Sequence, residues 1–395
     1  MLAGPLPMFL FRLPVVTAML VVVDENIPQW QLFAQQAQVR RLPGRSISSA
    51  DVRQADALIV RSVTRVDASL LAGSKVRFVG TCTIGTDHLD LQYLQQQQIG
   101  WSNAPGCNAQ AVVEYVLACL QVLAQSSRRP LEQLCYGIVG VGHVGGRLAG
   151  LLRALGYRVL LCDPPRQQRE PDGGFVSLQA VLDNCDVISL HTPLQQDGPW
   201  PSHHLLAERE LLALRRDAWL INAARGAVID NKALRSVLQQ RADVQVVLDV
   251  WEGEPDFDVA LARLCRLATP HIAGYSLDGK IRGSEMIARE FARFFALSCD
   301  LQAEYPPAPL QEIGFLSRST LAGQLAALSC LLYNPLHDDL EFRRLYALAD
   351  EPRQAGFDLL RKNYRVRREL STLGQVRGLA PGLQEFARAL SLAGA

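Results

Sequence analysis

Residues 137–163 read GIVGVGHVGGRLAGLLRALGYRVLLCD, and this stretch decides the fold. An apolar run enters from CYGIV, three glycines follow at 140, 142 and 145, a helix-period segment comes next, and a second apolar run ends at Asp163. Glycines in a G-x-G-x-x-G spacing also mark ordinary turns. Between a strand and a helix, with an acid closing the next strand, they form the dinucleotide-binding fingerprint. Each glycine has its own reason. Gly140 permits the tight turn, Gly142 lets backbone approach a pyrophosphate, and Gly145 lets helix and strand pack closely. The helix N-terminus adds partial positive charge, and His143 and Val144 offer backbone amides there. Asp163 suits ribose hydroxyls and repels a 2′-phosphate, so the pattern predicts NAD rather than NADP, a preference that Arg166 weakens slightly.

Outward from this unit, apolar runs continue in DVISLHTP, AWLINAA, VQVVLDV and RLATPHI. They are nearly unbroken, as strands buried on both faces are. Upstream, LVVV, ALIVRS and VRFVGT alternate with helix-length segments from Met19 to about WSNAPGCN. Strands alternating with helices imply parallel sheets joined by crossovers. The fold class is therefore α/β, with two doubly wound parallel-sheet domains, a Rossmann NAD domain and a flavodoxin-like one. Between them NAQAVVEYVLACLQVLAQSS is apolar on more than one face and predicts a buried helix with Asn108 as N-cap. After about residue 305 the Pro-rich YPPAPL opens a tail with a basic knot, LRKNYRVRRE. The tail reads as a third, small α+β domain.

Three polar residues stand where buried strands end: Arg225 in NAARGAV, Glu254 in LDVWEGEP and His271 in TPHIAGY. Arg225 lies between alanines and a glycine, and a guanidinium is costly to desolvate unless an anion meets it. The ends of strands in doubly wound sheets form the ligand crevice, so distant residues converge there. A cation, an acid and an imidazole after a nucleotide fingerprint are the parts that hydride transfer at a hydroxy acid needs. The guanidinium holds a carboxylate, the imidazole takes the hydroxyl proton, and the acid fixes the imidazole and favours its charged form. Thr192 and Asp249 are expected on the nicotinamide side. His203 and His204 read as solvent-facing loop residues without a ligand partner.

The 395 residues exceed one ordinary core. At 49% hydrophobic and 20% charged the chain builds those cores unaided. A net charge of +1 supplies no field to draw nucleic acid or an anionic membrane. Nine scattered cysteines without a C-x-x-C pair predict reduced thiols in a cytoplasm and no metal site. The first 18 residues are apolar but proline-broken and lack a basic start. They read as an extension upstream of a true start at Met19.

The motifs GIVGVGHVGGRL, NAARGAVID, LDVWEGEP and TPHIAGY resemble, in order and spacing, those of the D-isomer-specific 2-hydroxyacid dehydrogenases. The resemblance implies a discontinuous catalytic, substrate-binding domain (19–107 and 285–304) around an NAD domain (108–284). It implies substrate contacts at Ser62, Thr83 and Tyr275, and cofactor contacts at His143, Val144, Asp163, Thr192, Ala223, Asp249 and Gly274. The stretches VDENIP, VRSVT, GTCTIGTDHLD, CDPPR, HTPLQQDGP, HIAGYSLDGKIRG and LRKNYRVRRE are similar to a branch whose substrate is phosphorylated. In that branch the tail, here 305–395, is a dimerisation domain, which implies a homodimer. A phosphate calls for further cations, and Arg61 or one of Arg361, Lys362, Arg365, Arg367 and Arg368 is the expectation, the last group reaching a neighbouring subunit. The rivals are another family enzyme such as phosphoglycerate dehydrogenase, whose long forms carry a different tail, and a non-catalytic NAD-sensing corepressor.

Overall fold

The computed structural model describes residues 19–316 and 318–393. The N-terminal stretch 1–18, expected to be an extension, lies outside the described residues. The described chain divides into two compact units, 19–104 with 284–303, and 105–283 with 304–393.

The first unit holds a five-stranded, all-parallel sheet of β1 (Leu20–Asp24), β2 (Gln38–Leu42), β3 (Ala57–Val60), β4 (Phe78–Thr81) and β5 (Gly100–Ser102), in the order β2-β1-β3-β4-β5. The apolar runs VVV and ALIV form the buried centre, while QVRRL and GWS, which carry polar residues, take the edges. Residues 284–303 return to close the core. Phe291 meets Phe33 and Phe78 edge-on at centroid distances of 5.8 and 6.3 Å. Gly80 makes room for this return, since a Cβ there would lie 2.4 Å from Ile287.

The second unit is built on β6 (Cys135–Val139), β7 (Arg158–Cys162), β8 (Val187–Leu190), β9 (Trp219–Asn222), β10 (Gln245–Leu248) and β11 (Leu267–Ala268). All pairs are parallel, in the order β11-β10-β9-β8-β6-β7. The chain leaves β6 toward β7 on one side and resumes at β8 on the other. The order therefore reverses at β6, and the crevice of such sheets opens at the carboxyl ends of the strands flanking that point. The fingerprint glycines follow β6, and His191 and Thr192 follow β8.

The helix Ala109–Ser127 begins directly after Asn108, which makes no side-chain cap bond. By length and composition it could cross a membrane, yet its residues from Ala109 to Leu123 are buried in this unit. It packs on the helices His143–Ala154 and Leu321–Leu331.

The tail, expected as a separate small domain, shares its cores with the nucleotide-binding sheet. Leu325, Leu328 and Phe386 join one cluster with Tyr115 and Leu148, and Phe342 and Phe357 join another with Trp251 and Phe257. Of the last residues, GLAPGLQEFARALSLAGA, the described ones, 378–393, thus enter the core through Leu383, Phe386 and Leu390. Charges fasten the join. Buried Arg367 donates to the carbonyls of Ala273 (3.0 Å) and Ala111 (2.6 Å), and buried Glu369 accepts from Ser276 and Arg282. Strands β12 (Glu312–Gly314) and β13 (Gln375–Arg377) add a small parallel pair.

Candidate active site

The glycine loop has the form its sequence dictates. Gly140 has φ +84°, open to glycine at little cost, and a Cβ there would lie 2.7 Å from the backbone of His191 and Thr192. A Cβ on Gly145 would stand 2.0 Å from the carbonyl oxygen of Gly140, so only glycine lets the helix His143–Ala154 start this close to β6. Gly142 is exposed, and a Cβ there would meet nothing within 4 Å. The first two glycines named are thus required by the fold, whereas Gly142 leaves open space beside the helix N-terminus, where an anion is favoured.

Asp163 directly follows β7 and accepts hydrogen bonds from the N–H groups of Val141 (2.8 Å) and Arg166 (2.9 Å). It therefore holds the glycine loop and caps the next helix, and a carboxylate with about four acceptor positions keeps capacity for a ribose. Arg166 is turned to the Val141 carbonyl and to Glu170. Thr192 Oγ1 and Asn108 Oδ1 are buried without a hydrogen-bond partner. A cradle with an open glycine and two orphaned oxygens fits a dinucleotide, since buried polar atoms are normally paired. Gly274 is needed beside Asn108, whose Nδ2 a Cβ would approach to 2.1 Å, and Ala223 stands half-buried at the end of β9. His143 begins its helix with its ring against Gly106.

Glu254 and His271 form the closest chemical pair. His271 Nδ1 donates to Glu254 Oε2 at 2.7 Å, and Glu254 Oε1 accepts the Trp251 N–H at 2.8 Å. Burial pushes the Glu254 carboxyl up, but the charge of His271, its hydrogen bond and the Trp251 N–H outweigh that, and the net shift is down. The pair is thus an ionised carboxylate fixing Nδ1 and leaving Nε2 for chemistry. His271 itself has φ +57°, an uncommon backbone for a residue with a Cβ. Asp249 holds that turn. Its buried carboxylate accepts the N–H groups of Ile272 and Ala273 and the Thr269 hydroxyl, while its carbonyl accepts the His271 N–H. Burial raises the Asp249 carboxyl.

Arg225 follows β9 in extended backbone and is half-buried. Its Nη1 donates to the Ala224 carbonyl at 2.8 Å, and its own carbonyl accepts Asn222 Nδ2. Gly226 fixes its place, since a Cβ there would collide with Trp251 backbone at 2.0 Å.

Other expectations meet a different outcome. His203 and His204 are half-buried and stacked at 3.9 Å, and His204 Nε2 lies 2.8 Å from Glu252 Oε1. They are not free solvent-facing side chains. The tertiary fold brings Glu252 to them across 48 residues, which local sequence does not show. With Glu252 their ligand atoms gather within 4.8 Å, but stacked rings direct their in-plane lone pairs side by side rather than at one ion. Arg61 is held by the fully buried Asp24 at 2.9 Å, so it anchors the turn that bears exposed Ser62. In the same unit Thr83 Oγ1 lies 2.7 Å from Thr81 Oγ1, which lies 3.0 Å from His88 Nε2. Burial drops His88 to about 4. Arg361, one of the five basic tail residues offered for the phosphate, has its guanidinium carbon 5.7 Å from the Tyr275 ring centroid. Sequence reasoning did not single out Trp251, whose backbone N–H holds Glu254.

These parts are those of a 2-hydroxyacid dehydrogenase, and residues 120–273 match the D-isomer specific 2-hydroxyacid dehydrogenase NAD binding domain. Residues 305–381 match a domain of unknown function. Solved structures share the fold. A D-lactate dehydrogenase from Aquifex aeolicus with NAD and lactic acid has a TM-score of 0.60 at 23% identity, over 70% of this chain and 95% of that one. NAD-bound 3-phosphoglycerate dehydrogenase of Entamoeba histolytica has 0.63 at 22%, over 73% and 99%. The chain is 54% identical over 376 residues to erythronate-4-phosphate dehydrogenase of Pseudomonas putida (strain W619), covering 94% of this chain and 99% of that protein. It is 52% identical, with the same coverage, to that of Azotobacter vinelandii. The chain belongs to the erythronate-4-phosphate dehydrogenase family, a branch of the D-isomer specific 2-hydroxyacid dehydrogenases, and is an NAD-dependent oxidoreductase.

Proposed function

We propose that the chain oxidises 4-phospho-D-erythronate to 2-oxo-3-hydroxy-4-phosphobutanoate with NAD, a step toward pyridoxine 5′-phosphate. The near full-length match to erythronate-4-phosphate dehydrogenases supports the substrate. The observation that carries the chemistry is the 2.7 Å contact between His271 Nδ1 and Glu254 Oε2.

When bound, NAD supplies the hydride acceptor. His271 Nε2 takes the proton from the 2-hydroxyl, and Glu254 keeps Nδ1 protonated and stabilises the imidazolium that forms. Arg225 binds the substrate carboxylate and orients the reacting carbon. Gly140, Gly142, His143, Val144 and Gly145 are proposed to cradle the pyrophosphate, with Asp163 on the ribose. Thr192, Ala223, Asp249 and Gly274 are proposed to contact the remainder of the cofactor. Ser62, Thr83 and Tyr275 are proposed to touch substrate. The tail is proposed to pair two copies into a homodimer, and the enzyme to work in the cytoplasm.

The test is direct. Purified protein with NAD is mixed with 4-phosphoerythronate, and with 3-phosphoglycerate in parallel, while reduced nicotinamide is followed by absorbance. Turnover of the first acid in preference to the second supports the reading, and the reverse preference refutes it.

A further inference from the structure

A phosphorylated hydroxy acid carries a second anionic group besides the carboxylate assigned to Arg225. Most cations that the sequence offers for it are already committed. Arg61 is bound to Asp24, Arg365 donates to Asp338 at 2.7 Å, Arg367 to two backbone carbonyls, and Arg368 to Asp278 at 3.0 Å. Lys362 is exposed.

Arg361 differs from these. It sits near the end of the helix Asp350–Lys362, with its guanidinium carbon 5.7 Å from the Tyr275 ring centroid and 5.8 Å from that of Phe357. Its Nε is buried and has no hydrogen-bond partner. The side chain hydrogen-bonds Tyr275 and feels the charges of Glu254 and Asp358, but its buried Nε–H still lacks an acceptor, which costs free energy until one reaches it. Glu254 is close enough for each group to feel the other's charge, but its two oxygens already serve Trp251 and His271. A second cation approaches the same ring, since Lys280 Nζ lies 4.8 Å from the Tyr275 centroid. Tyr275 is four residues past His271, in a turn where its N–H donates to the Ile272 carbonyl at 2.8 Å.

We propose that Arg361 and Lys280, both set against Tyr275, form the subsite that holds the phosphate of the substrate, with Arg361 delivered by the chain's own tail. This rests on the reading of the substrate as a phosphorylated hydroxy acid. Two cationic stations then grip one short molecule, Arg225 the carboxylate and the Arg361–Lys280 pair the phosphate. The planar guanidinium gives directed N–H donors and the ammonium a point charge. The tail thereby decides which hydroxy acid is accepted.

The test compares 4-phosphoerythronate with erythronate, which lacks the phosphate, in the full-length enzyme and in Arg361→Gln, Arg361→Lys and Lys280→Gln. Hydrogen bonds to charged groups give about 10- to 150-fold in kcat/KM. Each Gln variant is expected to lower the preference for the phosphorylated acid by that factor, mainly through KM, and Arg361→Lys to restore part of it. Calorimetric binding of 4-phosphoerythronate should weaken in parallel. Lys280→Gln keeps the proposal testable if Arg361→Gln fails to fold. Equal losses on both acids, or an unchanged preference, overturn the subsite. Failure of the wild-type enzyme to oxidise 4-phosphoerythronate refutes the substrate reading itself, and with it this inference.

Discussion

Replacing Glu254 by Gln isolates the charge of the proposed catalytic pair from its geometry. Glu254 Oε1 accepts the Trp251 N–H and Oε2 accepts His271 Nδ1–H. A glutamine is nearly the same shape, and its Oε1 can still serve Trp251. Its amide nitrogen then stands at the Oε2 position, with N–H groups facing Nδ1. Two losses follow. The charge-assisted bond disappears, which costs about 1.5–3 kcal/mol and hence about 10- to 150-fold in rate. The amide N–H also forces Nδ1 to accept, which moves the ring proton to Nε2, the atom proposed to receive the substrate proton. The second effect adds to the first, so a loss of at least about 10-fold in kcat is expected. KM should change little, because neither group is assigned to ground-state binding. The assay is steady-state appearance of reduced nicotinamide with saturating NAD, and NAD binding by calorimetry serves as the control for folding. A kcat within threefold of wild type, or a loss confined to KM, would refute the assignment.

Gly142→Ala should leave thermal stability unchanged, because its Cβ meets nothing within 4 Å, while NAD affinity falls about tenfold or more as the pyrophosphate loses its close approach. Gly145→Ala should instead cost about 1–3 kcal/mol of stability through the collision with the Gly140 carbonyl, and the opposite pattern in melts and calorimetry would sink this division of roles. Burial raises the Glu114 carboxyl from its ordinary 4.5 to about 8. The folded state therefore binds that proton more tightly than the unfolded chain. This contribution is fully present below about pH 4.5 and is lost as pH rises to about 8. Glu114→Gln should flatten that slope in thermal melts across the window, and an identical slope in the two proteins would contradict it. Arg61→Ala strands the buried Asp24 carboxylate and should cost roughly 3 kcal/mol, read from denaturant midpoints.

The fingerprint between β6 and β7 is legible because local chemistry dictates it. A tight turn, a close helix and a strand-end acid each demand one residue type at one spacing. The parallel class of both sheets follows from unbroken apolar runs separated by helix-length segments. Arg225, Glu254 and His271 stand out because strand ends are marked in sequence, although the 2.7 Å contact between Glu254 and His271 is not. The histidines at 203 and 204 read as solvent-facing in sequence because Glu252, the partner of His204, arrives from a distant loop. Arg61 looked like a ligand cation because Asp24 lies 37 positions away. The division of labour within the basic knot was equally hidden, since Arg365, Arg367 and Arg368 find their acceptors through the tail's packing.

By itself, then, the sequence determined the nucleotide loop, the two sheets and the kinds of reactive side chain, because backbone conformation and apolar periodicity act over a few residues. Only the tertiary structure decided which charges are spent on the fold. That depends on partners dozens or hundreds of positions apart, whose desolvation is settled only when the cores close around them.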